Sequence, residues 1–115
     1  MTVQIFHNPR CSKSRATLAL LRERGIEPDI RLYLDDPPDA DELRRLLDML
    51  GLAPRQLMRR GEAEYREQGL ADDSLDHEAL IAAMAATPRL IERPIVIANG
   101  KAALGRPPEA VLEIL

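Results

Sequence analysis

Three features of the sequence predict an α/β fold built on a mixed four-stranded sheet. Near the start, two strand-like runs, Thr2 to His7 and Pro28 to Leu34, flank a helix-like run from Ser12 to Arg24. Near the end, Pro94-Ile95-Val96-Ile97 and Lys101 to Leu104 are joined through Asn99-Gly100, a strong short-range hairpin signal. Between these two parts, leucines recur at helical spacing.

Each element has its own local reason. Val3, Ile5 and His7 alternate with Gln4 and Phe6, as a strand requires. Leu18 and Leu21 share a face of the first helix, and Gly25 is a natural stop. The second strand closes on the turn Asp35-Asp36-Pro37-Pro38. Asp39 with Glu42 three residues later is an acidic form of the capping box, and Leu43, Leu46, Leu47 and Leu50 follow as a core stripe up to Gly51. Pro54 to Gly69 reads as one or two small helices. Asp72-Asp73-Ser74 and Asp76 start another, with Leu80, Ile81 and Met84 as its apolar face and Thr87-Pro88 as its end. Pro107 suits the first position of a final helix carrying Val111, Leu112 and Leu115.

A strand–helix–strand unit of this length implies a right-handed crossover and parallel pairing. The terminal hairpin adds antiparallel strands. With helices on both faces, the result is a thioredoxin-like domain spanning residues 1–115, with a helical insertion from about residue 39 to residue 87. The chain has 115 residues, 45% hydrophobic and 30% charged, which fits one folded domain rather than a disordered chain. A net charge of −3 and only Phe6, Tyr33 and Tyr65 as aromatics argue against nucleic-acid binding. No apolar run reaches the length of a membrane span, and no signal-peptide pattern opens the chain. One cysteine is too few for an internal disulfide or a thiolate-built zinc site, so no metal and no bound cofactor are expected. A reducing, cytoplasmic setting and a monomer are the matching expectations.

That cysteine, Cys11, stands where the first strand gives way to the first helix, in His7-Asn8-Pro9-Arg10-Cys11-Ser12-Lys13-Ser14-Arg15. Unpaired N–H groups and the helix dipole favour its thiolate, which is the nucleophilic form, and the same groups can hold an oxyanion. Arg15, one turn along, would act in the same direction, and His7 is a second candidate for tuning the thiol. Arg93 and Arg106 flank the hairpin and stand beside Pro94 and Pro107, so both can reach the Cys11 loop. Arginine suits a tetrahedral oxyanion because its planar fork donates two parallel hydrogen bonds and stays charged. Most of the 16 basic residues, Arg44, Arg45 and Arg60 among them, read as ordinary surface charge, and His77 as solvent-facing.

The chain resembles the ArsC family, the glutaredoxin-linked arsenate reductases of bacteria. Four segments carry the resemblance: the nine residues His7 to Arg15, then Leu57-Met58-Arg59-Arg60, Glu92-Arg93-Pro94-Ile95-Val96 and Gly105-Arg106-Pro107-Pro108-Glu109. It implies a thioredoxin-like core with a helical insertion, Cys11 as the catalytic cysteine, and Arg59, Arg93 and Arg106 as the oxyanion ligands. Ser14 and Arg15 fall on the family's Ser-Arg pair, and Pro94 on the cis-proline position. The implied reaction is reduction of arsenate to arsenite through a thiol–arsenate ester on Cys11, with glutathione as external reductant and glutaredoxin as partner.

Two departures accompany the match. Cys11-Ser12-Lys13-Ser14-Arg15 stands where well-studied members are closer to Cys-Gly-Thr-Ser-Arg, and the sequence ends at Leu115 without their C-terminal tail. Two other functions compete. Cys11-Ser12-Lys13-Ser14 resembles the Cys-x-x-Ser of monothiol glutaredoxins, which would make the chain a glutathione-linked monothiol oxidoreductase. Regulators resembling Spx bind a protein partner without catalysis, but their redox switch needs a second cysteine where this chain has Ser14.

Overall fold

The computed structural model describes Thr2 to Leu115. The chain forms two compact units, one made of the residues up to Asp36 together with Arg93–Leu115, the other of Pro37–Glu92.

The first unit is the sheet. Strands β1 (Val3–Phe6), β2 (Asp29–Arg31), β3 (Ile95–Ala98) and β4 (Lys101–Leu104) lie in the order β2-β1-β3-β4. Strand β1 pairs parallel with β2 and antiparallel with β3, and β3 pairs antiparallel with β4, the mixed four-stranded sheet that the sequence predicts. Helix α1 (Ser12–Glu23) makes the crossover from β1 to β2. Its buried Leu18 and Leu21 pack on the sheet face formed by Val3, Ile5, Val96 and Ala98, together with Val111 near the C-terminus. Phe6 and Ile95, on the opposite face, are buried as well, so the sheet is covered on both sides. Between β3 and β4, Asn99 (φ 56°) and Gly100 (φ 72°) both take the left-handed conformation that a tight two-residue hairpin needs.

Two expectations are corrected here. The second strand stops at Arg31 instead of running to Leu34, because the chain folds into a turn in which the N–H groups of Asp35 and Asp36 both reach the Leu32 carbonyl. Ile30, Leu32 and Leu34 are 42%, 41% and 38% exposed, while Tyr33 is buried. The final helix is a 3-10 segment, Pro108–Ile114, and begins one residue later than expected. A residue that precedes proline is held extended, and Pro107 before Pro108 obeys that rule at φ −70°, ψ 165°.

The second unit is helical. It contains α2 (Ala40–Leu50), a 3-10 segment Pro54–Leu57, α3 (Ala63–Glu67), α4 (His77–Ala86) and a 3-10 segment Pro88–Leu90. The capping box is formed in both directions: the Asp39 carboxylate accepts the Glu42 N–H at 2.8 Å, and the Glu42 carboxylate accepts the Asp39 N–H at 3.3 Å. Asp76 caps α4 in one direction only, accepting the Ala79 N–H at 2.8 Å. Leu43, Leu46 and Leu47 of α2 and Leu80, Ile81 and Met84 of α4 are buried, and the two helices pack together.

Asp39→Ala removes one half of this reciprocal cap and should cost about 1 kcal/mol of stability, read as a lower midpoint in urea with an unchanged slope.

Candidate active site

The loop from β1 to α1 is fixed by short-range hydrogen bonds. The Cys11 N–H donates to the Asn8 carbonyl at 3.0 Å, and the Arg10 N–H donates to the Asn8 side-chain oxygen at 3.0 Å, closing an Asx turn over Pro9. Cys11 thereby becomes the N-cap of α1, extended at φ −94°, ψ 124°, with its own carbonyl accepting the Arg15 N–H at 3.0 Å. Only 8% of Cys11 is exposed.

Burial pushes the thiol pKa up. Against it act the backbone N–H of Ser14, the charge of Arg93, the backbone N–H of Lys13 and the charge of Arg106, and the outcome is a pKa below that of an ordinary cysteine. Arg106 Nη2 stands 4.0 Å from the Cys11 sulfur, while Arg106 Nε donates to the Arg93 carbonyl at 2.8 Å. The two arginines, thirteen positions apart, are thus joined at one end of the hairpin.

Each of them precedes a cis peptide bond, Arg93–Pro94 and Arg106–Pro107. Pro94 is the cis-proline candidate from the sequence; the cis bond at Pro107 is a finding of the structure alone. Between them, the Gly105 N–H donates to the Pro94 carbonyl at 2.9 Å. A Cβ on Gly105 would lie 2.4 Å from Thr17 Oγ1 and 2.7 Å from Pro94 Cγ. Thr17 is itself fixed, its hydroxyl donating to the Lys13 carbonyl at 2.8 Å. Gly105 and Thr17 are therefore the residues that sequence reasoning passed over. A glycine directly before Arg106 is the available signal, but the partner it must clear is distant in sequence.

The remaining loop residues hold the turn more than they touch the sulfur. Ser14 is fully buried; its Oγ accepts the Asn8 N–H at 3.0 Å and shares a 2.7 Å hydrogen bond with His7 Nδ1. Burial and the charges of Arg22 and Arg15 hold His7 below the usual histidine pKa, so at neutral pH its ring is uncharged and brings no cation to the thiol. Arg15 Nη1 donates to the Pro9 carbonyl at 2.9 Å and so braces the loop. Arg59 belongs to the helical unit. Its N–H donates to the Leu90 carbonyl at 2.7 Å beside the Met58–Ile91 bridge, and its guanidinium pairs with Glu62 at 2.7 Å.

A small nucleophilic sulfur with two guanidinium groups nearby can attack, and hold, a tetrahedral oxyanion. The family model for the ArsC family matches residues 6–114 of this sequence. The chain belongs to the ArsC family.

Several proteins resemble it over nearly their whole length. An arsenate reductase of Neisseria meningitidis is 54% identical over 98% of this chain and 97% of its own. YfgD of Escherichia coli K12, an uncharacterised protein, is 61% identical over 98% and 96%. The solved structure of an arsenate reductase from Vibrio cholerae superposes with a TM-score of 0.98 at 56% identity, covering all of this chain and 98% of that one. The thioredoxin-like α/β fold of the family is the fold described above. Among the described residues, no three His, Cys, Asp or Glu side chains are grouped to hold a metal ion, and no helix is long and apolar enough to cross a membrane.

Two outcomes follow for this ArsC-family site. The rate of Cys11 alkylation should rise with pH through a midpoint below that of free cysteine, and Arg106→Gln should move the midpoint upward; an unmoved midpoint would show that Arg106 has no hold on the sulfur. Gly105→Ala should destabilise the fold by about 1–3 kcal/mol, because Thr17 and Pro94 leave no room for the methyl. Chemical denaturation measures that loss, and Thr17→Ala in the same chain should recover part of it.

Proposed function

We propose that this ArsC-family chain is an arsenate reductase that works through a thiol–arsenate ester on Cys11. The observation that carries the reading is the Arg106 guanidinium 4.0 Å from the Cys11 sulfur, tied to Arg93. A thiolate and an oxyanion repel each other, and cations beside the sulfur lower that barrier while stabilising the thiolate. Cys11 attacks arsenic, an As–S bond forms, and an oxygen departs as water. Arg93 and Arg106 hold the remaining oxygens; Arg59 joins them on the strength of the family resemblance. The names of the relatives support arsenate as the oxyanion.

The chain has one cysteine, so the two reducing thiols come from outside. Glutathione is the first. It replaces a further oxygen on arsenic, again released as water, with no change of oxidation state. Glutaredoxin is the second: its thiolate attacks the glutathione sulfur, the As–S bond pair stays on arsenic, and As(V) becomes As(III). The mixed disulfide leaves on glutaredoxin, arsenite is hydrolysed from Cys11, and the thiolate is restored. No metal or prosthetic group enters this sequence, and a lone catalytic thiol suits a monomer in the reducing cytoplasm. A mixed-disulfide oxidoreductase would leave the Arg93–Arg106 pair without a task.

Arsenate-dependent NADPH consumption, coupled through glutathione, glutaredoxin and glutathione reductase, tests the reading. Turnover should vanish in Cys11→Ser and on omission of both thiol donors. In Arg106→Ala, kcat/KM should fall about tenfold to a hundredfold, the effect of losing a charged hydrogen bond worth about 1.5–3 kcal/mol. Multiple turnover without any added thiol would overturn the scheme.

A further inference from the structure

Beside the thiol loop, an open groove of about 680 Å³ runs along α1. Its lining is apolar where Leu18 and Ala19 meet Pro9, and charged where Arg15, Arg22 and Glu23 enter it. Cys11, Arg15, Leu18 and Arg22 follow one another at spacings of four, three and four, so they lie on one stripe of the helix. Cys11 is one turn, about 6 Å, from Arg15 along the axis. Helical side chains slant toward the N-terminus, which carries the Arg15 guanidinium to the loop, while Arg22 stands farther along the groove. The His7 ring, which also lines the groove, feels the charge of both, Arg22 more than Arg15. Neither arginine swings freely: Arg15 is held to the Pro9 carbonyl, and Arg22 Nε lies 3.1 Å from each carboxylate oxygen of Glu27.

We propose that this groove receives the first external thiol, a short peptide thiol with two carboxylates and one ammonium, the charge pattern of glutathione. The proposal rests on the arsenate reductase reading for its chemistry and on the groove for its place. Two guanidinium groups answer two carboxylates, and Glu23 answers the ammonium. Leu18, Ala19 and Pro9 give the peptide backbone an apolar surface to lie against. The Arg22–Glu27 pair is exposed, and such pairs hold only weakly, so a ligand carboxylate can share that arginine. The volume is ample, since small-molecule sites begin at about 300 Å³. A carboxylate anchored on Arg15 leaves the neighbouring cysteine of the peptide within about one residue's length of arsenic on Cys11. From there its sulfur bonds to arsenic, an As–O bond breaks, and the thiol proton leaves on the displaced oxygen as water.

S-methylglutathione, which binds but cannot react, tests the site without turnover. Titrated into the full chain, it should shift the backbone amide signals of Arg15, Ala19, Arg22 and Glu23, saturating at about millimolar concentration. Arg22→Gln should weaken that binding about fivefold, the scale of an exposed ion pair. With 2-mercaptoethanol in place of glutathione, the same variant should turn over arsenate as the unaltered chain does. Saturating shifts confined to the surroundings of Arg93 and Arg106, shifts absent from the groove, or unchanged affinity in Arg22→Gln would each overturn the proposal. Groove binding without arsenate turnover would sink the reductase reading alone; glutathione-driven turnover without groove binding would sink the groove alone.

Discussion

The distance between Gly105 and Thr17 decides how near the hairpin can come to the first helix. With a hydrogen in place of a methyl, Gly105 lies against Thr17 and Pro94 where a Cβ would collide with both. The next residue along is Arg106, whose guanidinium then falls beside Cys11. Its Nε closes back on the Arg93 carbonyl, which fixes the Arg106 side chain, and the charges of both arginines act on the sulfur. A bulkier residue at position 105 would have to lift the end of β4 away from α1, and Arg106 with it. A packing constraint at one glycine is in this way converted into the electrostatics of one sulfur.

That sulfur is under opposing demands. Burial favours the neutral thiol, while the N–H groups at the start of α1 and the charges of Arg93 and Arg106 favour the anion, and the second set prevails. Remote residues supply the charge and local backbone supplies the dipoles. His7 contributes to neither, since its ring is neutral and bonded to Ser14. The loop is thus divided between residues that hold its shape, His7, Asn8, Ser14 and Arg15, and the sulfur that they present.

Local signals in the sequence were legible because their causes are local. The strand-to-helix step at Cys11, the Asp39–Glu42 capping box and the Asn99-Gly100 turn each depend on residues within a few positions, and each stands in the structure as read. The parallel pairing of β1 with β2 and the antiparallel hairpin of β3 and β4 followed from chain connectivity. What failed depended on tertiary context. The run Pro28 to Leu34 continues as a strand only if the chain stays extended, and it turns at Leu32 instead. Pro107 signals a helix start only if Pro108 does not restrict it. At the site, arginine type and proline adjacency singled out Arg93 and Arg106, yet their mutual hydrogen bond and the clearance at Gly105 join residues too far apart to be read together. Arg59 carries no local signal beyond the family motif.

Ser14 shows why a second cysteine three residues after Cys11 would be costly here. It stands three residues after Cys11, the place of the partner thiol in dithiol thioredoxin-like proteins, but its hydroxyl is already committed. It accepts the Asn8 N–H, meets His7 Nδ1 at 2.7 Å, and has no exposed surface. A thiol at that point is larger, a weaker hydrogen-bond partner, and would leave the Asn8 N–H and a buried imidazole poorly satisfied. The turn that aims Cys11 at Arg106 is built on those two bonds. Keeping the turn therefore disfavours a resolving thiol at position 14, and with a single cysteine in the chain the reducing equivalents of the proposed reaction come from outside it.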